Sequence, residues 1–368
     1  MVAVVIGSVL GLILTLLGTP LFIRLLVKRS YGQFIRDDGP TSHHVKRGTP
    51  TMGGAVIVLA VVVAYFVTHL FLVLTREQTT GPTASGMLLL LLMVGMGLVG
   101  FADDFAKISR KQSLGLTPWA KITGQAVVGV LFAVLALNFP DPRGITPGST
   151  AISFVRETAL DLAFAGPILG AILFVIWANV IATATTNGVN LTDGLDGLAA
   201  GATAMVTAAY TIMSIWQSNQ SCGGVRAVDA VCYQVRDPMD LALLAGIVTG
   251  ALIGFLWWNT SPAKIFMGDT GSLALGGALA AFAILSHTQL LFVILGGLFV
   301  IITLSVIIQV GFFKISGGRR VFLMAPLQHH FELKGWAEVT VVVRFWIIGA
   351  LTVGMGMAVF YGEWVLTQ

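Results

Sequence analysis

Ten apolar runs, each close to the length that crosses a bilayer, dominate this sequence. A transmembrane helix needs about 20 mostly apolar residues. Such runs fall at 2–27, 52–74, 86–105, 118–138, 165–185, 197–216, 239–258, 270–287, 290–313 and 342–366. Inside a bilayer the backbone must satisfy its own polar groups, so each run is expected to fold as a helix. Only His287, Thr288 and Gln289 separate the eighth run from the ninth. A stretch of more than 40 residues cannot be one span, so the split belongs there. Charged residues make up 10% of the 368, against about 25% in a soluble domain. The spacing predicts an all-α integral membrane protein with about ten transmembrane helices, forming one polytopic domain over 1–368. The first run lacks a basic leader and is too long for a signal-peptide core, so it reads as the first span. No internal repeat of the transporter kind is visible.

Lysine and arginine orient the spans, because cytoplasmic loops and helix ends carry the excess. With the N-terminus outside, the inside holds Arg24, Lys28, Arg29, Arg36, Lys46, Arg47, Lys107, Arg110, Lys111, Lys121, Lys264, Lys314, Arg319, Arg320, Lys334 and Arg344. The outside holds Arg76, Arg143, Arg156, Arg226 and Arg236. That is 16 against 5, the full set of 21, so both termini are expected outside. The net charge of +4 comes with no basic tail, and nucleic acid is not an expected partner. Cys222 and Cys232 share one outside loop, where an oxidising exterior permits a disulfide; two free thiols are the alternative.

With this orientation every chemically suggestive cluster falls on the inside. Asp103 and Asp104 end the third run beside Lys107. Adjacent acids at a membrane helix end need a partner, either a cation or that lysine; a solvated, acid-capped helix end is the plainer reading. Asn187, Asn190, Asp193 and Asp196 recur every three residues through a glycine-rich stretch between the fifth and sixth runs. In a helical turn they would share a face, and the glycines allow a ligand close to the backbone. The segment 259–272 carries Asn259, Phe266 and Asp269. Asp269 could cap the eighth helix or hold Mg²⁺ against a diphosphate.

The segment 324–336 places Gln328, His329, His330 and Glu332 together. Zinc is disfavoured, because no third ligand with zinc-like spacing follows; donors to phosphate or sugar oxygens fit better. A fifth segment, 43–54, offers Lys46, Thr51 and the pair Gly53-Gly54. No Walker, GxGxxG, GxSxG or HExxH motif is present. Acids that gather a metal, beside lysines that meet phosphate, suit phosphoryl transfer.

These five segments, in this order over nearly the whole chain, resemble the polyprenyl-phosphate N-acetylhexosamine-1-phosphate transferases. The segment 324–336 is similar to the muramoyl-pentapeptide branch, with one departure: Gln328 stands where many members have a first histidine. An amide donates hydrogen bonds but does not titrate. The resemblance implies transfer of phospho-N-acetylmuramoyl-pentapeptide from UDP-MurNAc-pentapeptide to undecaprenyl phosphate, giving lipid I and UMP, at the cytoplasmic face of a bacterial plasma membrane. It implies Mg²⁺ on Asp269 and a catalytic set of Asp103, Asp104, Asp269, His329 and His330. The substrate-binding set would be Lys46, Thr51, Lys107, Lys121, Asn187, Asn190, Asp193, Asp196, Asn259, Phe266 and Gln328. A homodimer is implied as well. Asp103 is expected to serve the lipid phosphate, and Asp104 the metal or Lys107. Two other readings are a UDP-N-acetylglucosamine transferase for another glycan and a nucleotide-sugar or lipid transporter. The transporter would need polar groups through the membrane middle, whereas the acids here gather at one end.

Overall fold

The computed structural model describes residues 1–28, 48–75, 81–110, 112, 114–222 and 232–367. In chain order the helices are α1 (Val2–Lys28), α2 (Gly54–Leu74), α3 (Ala84–Arg110), α4 (Pro118–Ala136), α5 (Pro167–Thr192), α6 (Leu198–Asn219), α7 (Pro238–Asn259), α8 (Gly268–Leu285), α9 (Leu291–Leu295), α10 (Gly297–Ile315), α11 (Leu327–Leu333) and α12 (Glu338–Thr367). Between α4 and α5 lies an antiparallel hairpin of β1 (Ala151–Ser153) and β2 (Glu157–Asp161). Ten helices among the described residues, all except α9 and α11, are long and apolar enough to cross a membrane.

These ten correspond one to one with the ten apolar runs. The break at 287–289 is real: α8 ends at Leu285, and His287 takes a left-handed conformation with φ 54°. Several helices outrun their apolar windows, α3 and α5 furthest. α3 continues to Arg110 and α5 to Thr192, so Asn187 and Asn190 lie on the last turns of a helix. Apolar patterning stops where lipid stops, whereas helical hydrogen bonding does not. The hairpin and the short helix α11 have no counterpart in the apolar pattern, because neither crosses the membrane.

α8 lies at the centre and is enclosed on almost every side, with α6 and α7 the next most buried. α1, α4, α5, α10 and α12 form the rim and keep apolar side chains exposed, among them Leu17, Leu21, Ile172, Ile347 and Leu351. In lipid that exposure costs nothing, and helix association depends on packing and internal polar bonds. Hydroxyls within the spans bond their own preceding turn, as Thr15 does to Gly11 O and Thr186 to Ala182 O. One polar knot joins three elements: Asp240 of α7 accepts from Tyr65 Oη (2.6 Å) and Thr83 Oγ1 (2.6 Å), and lies 2.9 Å from His69 Nε2.

At the end of the bundle away from the acid cluster, Cys222 and Cys232 are joined in a disulfide, the first of the two alternatives open from sequence. Nearby, Arg156 pairs with Glu363 of α12 and lies over the Tyr233 ring, 4.7 Å from its centre. Tyr233 in turn stacks on Phe360 of α12.

Candidate active site

Helices of opposite direction bring the C-terminal ends of α3 and α5 beside the N-terminal ends of α4 and α8. Asp103 and Asp104 of α3 meet Asp269 of α8 there, each offering an oxygen within 4.8 Å of the others. Lys107, one turn after Asp103, answers this charge. Its Nζ lies 2.6 Å from Asp103 Oδ2, 2.9 Å from Asp269 Oδ2 and 3.7 Å from Asp104 Oδ1. Lys121 of α4 also reaches Asp269 Oδ2 at 2.9 Å. Asn190 of α5 donates from Nδ2 to Asp269 Oδ1 (2.7 Å) and to Ser272 Oγ (2.8 Å).

The three carboxylates have different duties. Asp104 Oδ2 accepts from Thr270 N (2.8 Å) and Thr270 Oγ1 (2.7 Å), and Oδ1 accepts from Asp269 N (3.1 Å). Asp104 therefore caps the start of α8 from another helix, satisfying N–H groups that have no partner within α8. Asp269 does not cap its own helix; the N-cap position is Met267, with no side-chain bond. Asp103 Oδ1 accepts from Leu116 N at 2.8 Å and fixes the approach to α4.

Backbone contact makes this convergence possible. A Cβ on Gly100 would lie 2.0 Å from the Asp269 carbonyl oxygen, one turn from Asp103 and Asp104. A Cβ on Gly54 would lie 2.0 Å from Gly271 Cα. Only glycine at 54 and 100 lets α2 and α3 close on the first turn of α8.

The donor set suits a hard divalent cation. Magnesium is bound by one or two carboxylates together with substrate oxygens, and the carboxylates here are gathered, with Asp103 and Asp104 buried and Asp269 partly so, and already draw two ammonium groups. All three carboxylates offer an oxygen to such an ion, although Asp104 also caps α8 and Asp103 also holds Leu116 N. Among the described residues, no histidine belongs to a group of three or more metal-capable side chains.

Comparison with known proteins fits this geometry. Residues 86–287 match the family model for glycosyl transferase family 4, and residues 46–58 match signature 1 of the phospho-N-acetylmuramoyl-pentapeptide-transferases. The phospho-N-acetylmuramoyl-pentapeptide-transferase of Pseudarthrobacter chlorophenolicus is 70% identical over 367 residues, covering all of both chains. The chain belongs to the phospho-N-acetylmuramoyl-pentapeptide-transferase family. The transferase of the same name from Micrococcus luteus is 68% identical and that from Beutenbergia cavernae 58%, each over the whole of this chain and at least 98% of the relative.

The other residues expected of a family member divide into three groups. Some join the acid cluster: Lys107, Lys121 and Asn190 directly, and Thr51 through Gly268, where a Cβ would lie 3.0 Å from Thr51 Oγ1 and 2.6 Å from Asp104 Oδ2. Asp193 follows α5 as its C-cap residue. Burial holds its carboxyl well above the usual carboxylate range, and the charges of Asp269, Asp104 and Asp196 push it further.

A second group builds the frame. Asp196 Oδ2 accepts from Ala263 N (3.1 Å), and Asn259 Nδ2 donates to Ile265 O (2.9 Å), so both shape the loop before α8. Phe266 leaves its ring half-buried while its backbone pairs with Pro50 O and Gly53 N, at 2.8 and 2.9 Å. Gln328 donates to Leu191 O at 2.9 Å, and His329 Nδ1 lies 2.7 Å from Glu332 Oε2.

The third group stands apart. Asn187 bonds Gln125 Oε1 (3.2 Å) and Thr183 O (2.8 Å), deeper along α5 than the carboxylates. His330 Nδ1 accepts from Leu323 N (3.0 Å), closing the loop before α11, and burial together with Lys334 holds its pKa below the ordinary value. Lys46 lies outside the described residues. Thr270, Ser272 and Glu338 also take part and carry no sequence signal of their own. Glu338 Oε1 accepts from Asp196 N at 3.0 Å, across 142 positions of chain.

Proposed function

We propose that this chain transfers phospho-N-acetylmuramoyl-pentapeptide from UDP-MurNAc-pentapeptide to undecaprenyl phosphate, releasing UMP and forming lipid I. The supporting observation is the convergence of Asp103, Asp104 and Asp269 with Lys107 and Lys121, in a chain 70% identical throughout to a transferase of that name. The reading takes 1–368 as one polytopic domain with both termini outside and the acid cluster facing the cytoplasm, in agreement with the basic residues.

Asp269, with Asp103, would hold Mg²⁺. Bound there, the ion offsets the repulsion between a diphosphate and an incoming phosphate. Lys107 and Lys121 meet phosphate oxygens, and Asn190 keeps Asp269 in place. Asp103 serves the acceptor. A lipid phosphate with a second pKa near about 6 is largely dianionic at pH 7, so it attacks the phosphorus nearer the sugar directly and UMP leaves. Asp103 orients that phosphate or takes its last proton. Purified protein supplied with each UDP-sugar and undecaprenyl phosphate should release UMP with the muramoyl-pentapeptide donor and form a lipid-linked product. Preference for UDP-N-acetylglucosamine would overturn the donor assignment. Without lipid, UMP released in amounts matching the enzyme, with phospho-sugar on an aspartate, would replace the direct route by a two-step one.

Phe266, Thr51, Asn190, Asp193, Asp196, Asn259 and Lys46 form the nucleotide site in this reading. The half-buried Phe266 ring offers a face for uracil. Ring stacking contributes about 0.5–1.5 kcal/mol beyond buried area, so Phe266→Ala is expected to raise the donor KM roughly three- to tenfold, with kcat little changed. An unaltered KM in steady-state assays would remove Phe266 from the base site. The protein is further expected to be a homodimer, and its mass in nanodiscs, measured by light scattering, checks this.

A further inference from the structure

The chain from α11 to the start of α12 grips the turn between α5 and α6 at two points, one on each side of Asp193. Before it, Gln328 Nε2 donates to the Leu191 carbonyl at 2.9 Å. After it, Glu338 Oε1 accepts from the Asp196 N–H at 3.0 Å. Between them His329 packs on Gly194, where a Cβ would lie 2.9 Å from its Nε2. Gln328 is fully buried, and its Oε1 finds no hydrogen-bond partner among the described residues, so its bond to Leu191 is what the amide contributes. Both bonds end on backbone atoms, Leu191 O in the last turn of α5 and Asp196 N in the turn that follows.

The turn needs an outside hold. It contains Gly194 and is followed by Gly197 with φ 79°, and glycine gives a chain more freedom than any other residue. A carboxylate accepting a backbone N–H makes a bond roughly twice as strong as a neutral pair. The restraint then passes onward: Asp196 Oδ2 holds Ala263 N at 3.1 Å, and Phe266 at the end of that loop bonds Pro50 and Gly53. One series of bonds thus runs from the first turn of α12 through the turn at 191–196 and the loop before α8 to the entry of α2.

We propose that Gln328 and Glu338 are positioning residues. They form a two-point clamp on the 191–196 turn, and they set the nucleotide-binding geometry of Asp193 and Asp196 without touching substrate. The inference rests on the nucleotide-donor reading above and assigns to Gln328 a role that requires no titration. An amide holds the Leu191 carbonyl at every assay pH, so Gln328 contributes no step to the pH–rate profile.

The test uses the full-length protein in nanodiscs with Glu338→Ala, Glu338→Gln and Gln328→Ala. Both alanine variants are expected to raise the donor KM about tenfold with kcat changed less than threefold, while the lipid-acceptor KM and Mg²⁺ dependence stay as in the parent. Hydrogen–deuterium exchange at the amides of 191–197 should be faster in both. Glu338→Gln keeps an acceptor oxygen and should restore most of the donor KM and the slow exchange. Parent-like donor KM and exchange in Glu338→Ala would overturn the clamp. So would a Glu338→Gln variant as impaired as Glu338→Ala, or a loss spread equally over donor and acceptor KM. If the parent protein transferred nothing from any UDP-sugar, the functional reading would fail, and the exchange measurement would still decide the clamp.

Discussion

Asp269→Asn is expected to slow transfer roughly a thousandfold, about 4 kcal/mol in the barrier. Asp269 is where the positive charges of the site meet. Lys107 and Lys121 each lie 2.9 Å from its Oδ2, and Asn190 donates to its Oδ1. The amide that replaces it is neutral and offers one oxygen where the carboxylate offered two. In the proposed metal site Mg²⁺ would bind more weakly, and two ammonium groups lose a shared counter-charge. The thermal midpoint should fall too, because Lys121 and Lys107 lose a partly buried partner, but no α8 cap is lost with it. Asp104→Asn makes the contrast. Its oxygens accept from Asp269 N, Thr270 N and Thr270 Oγ1, and an NH₂ there faces a donor. That variant should lose about 1–2 kcal/mol of stability as well as activity. Initial rates over a Mg²⁺ titration, with unfolding followed by intrinsic fluorescence, separate the two. A normal rate with normal Mg²⁺ dependence in Asp269→Asn would remove the residue from the metal site.

Gly100→Ala should be nearly as damaging, although it adds one methyl group and no charge. The new Cβ would stand 2.0 Å from the Asp269 carbonyl oxygen and 2.4 Å from its carbon. Both are backbone atoms, so no side chain can swing aside, and α8 must move away from α3. Overpacking of this kind costs about 1–3 kcal/mol. The larger loss is in rate, because a shift of about 1 Å between reacting groups can cost about a hundredfold. Asp269 moves with α8, while Asp103 and Asp104 stay with α3. We expect a lower thermal midpoint and at least a hundredfold drop in UMP release from protein that still inserts and purifies. Parent-like activity would show that the α3–α8 approach has slack.

The ten spans were readable from the sequence because lipid leaves the backbone only one solution over a long apolar run. The acids were readable because a carboxylate at a membrane helix end needs a stated partner. Their division of labour was not. Asp104 caps a helix that begins more than 160 residues later, and no local pattern encodes that bond. The three-residue spacing of Asn187, Asn190, Asp193 and Asp196 suggested one shared face. Three residues on an α-helix fall about 60° short of a full turn, and α5 ends at Thr192, before the last two. Asn190 therefore reaches Asp269 while Asn187 turns to Gln125. Glu338 lies before the last apolar run, 342–366, and nothing in the sequence singles it out, since its partner lies on a different turn of the fold.

The enclosure of α8 bears on how such a protein is made. Among the ten spans α8 has the lowest mean hydropathy and the most complete burial. A bilayer by itself favours such a segment least, and neighbouring helices must retain it. α2, α3 and α5, which receive its first turns, are all synthesised before it. Asp269 thus reaches the acid cluster only when a socket of earlier helices already exists. Enzymatic activity therefore reports completed assembly of the bundle, whereas insertion of individual spans into the membrane does not.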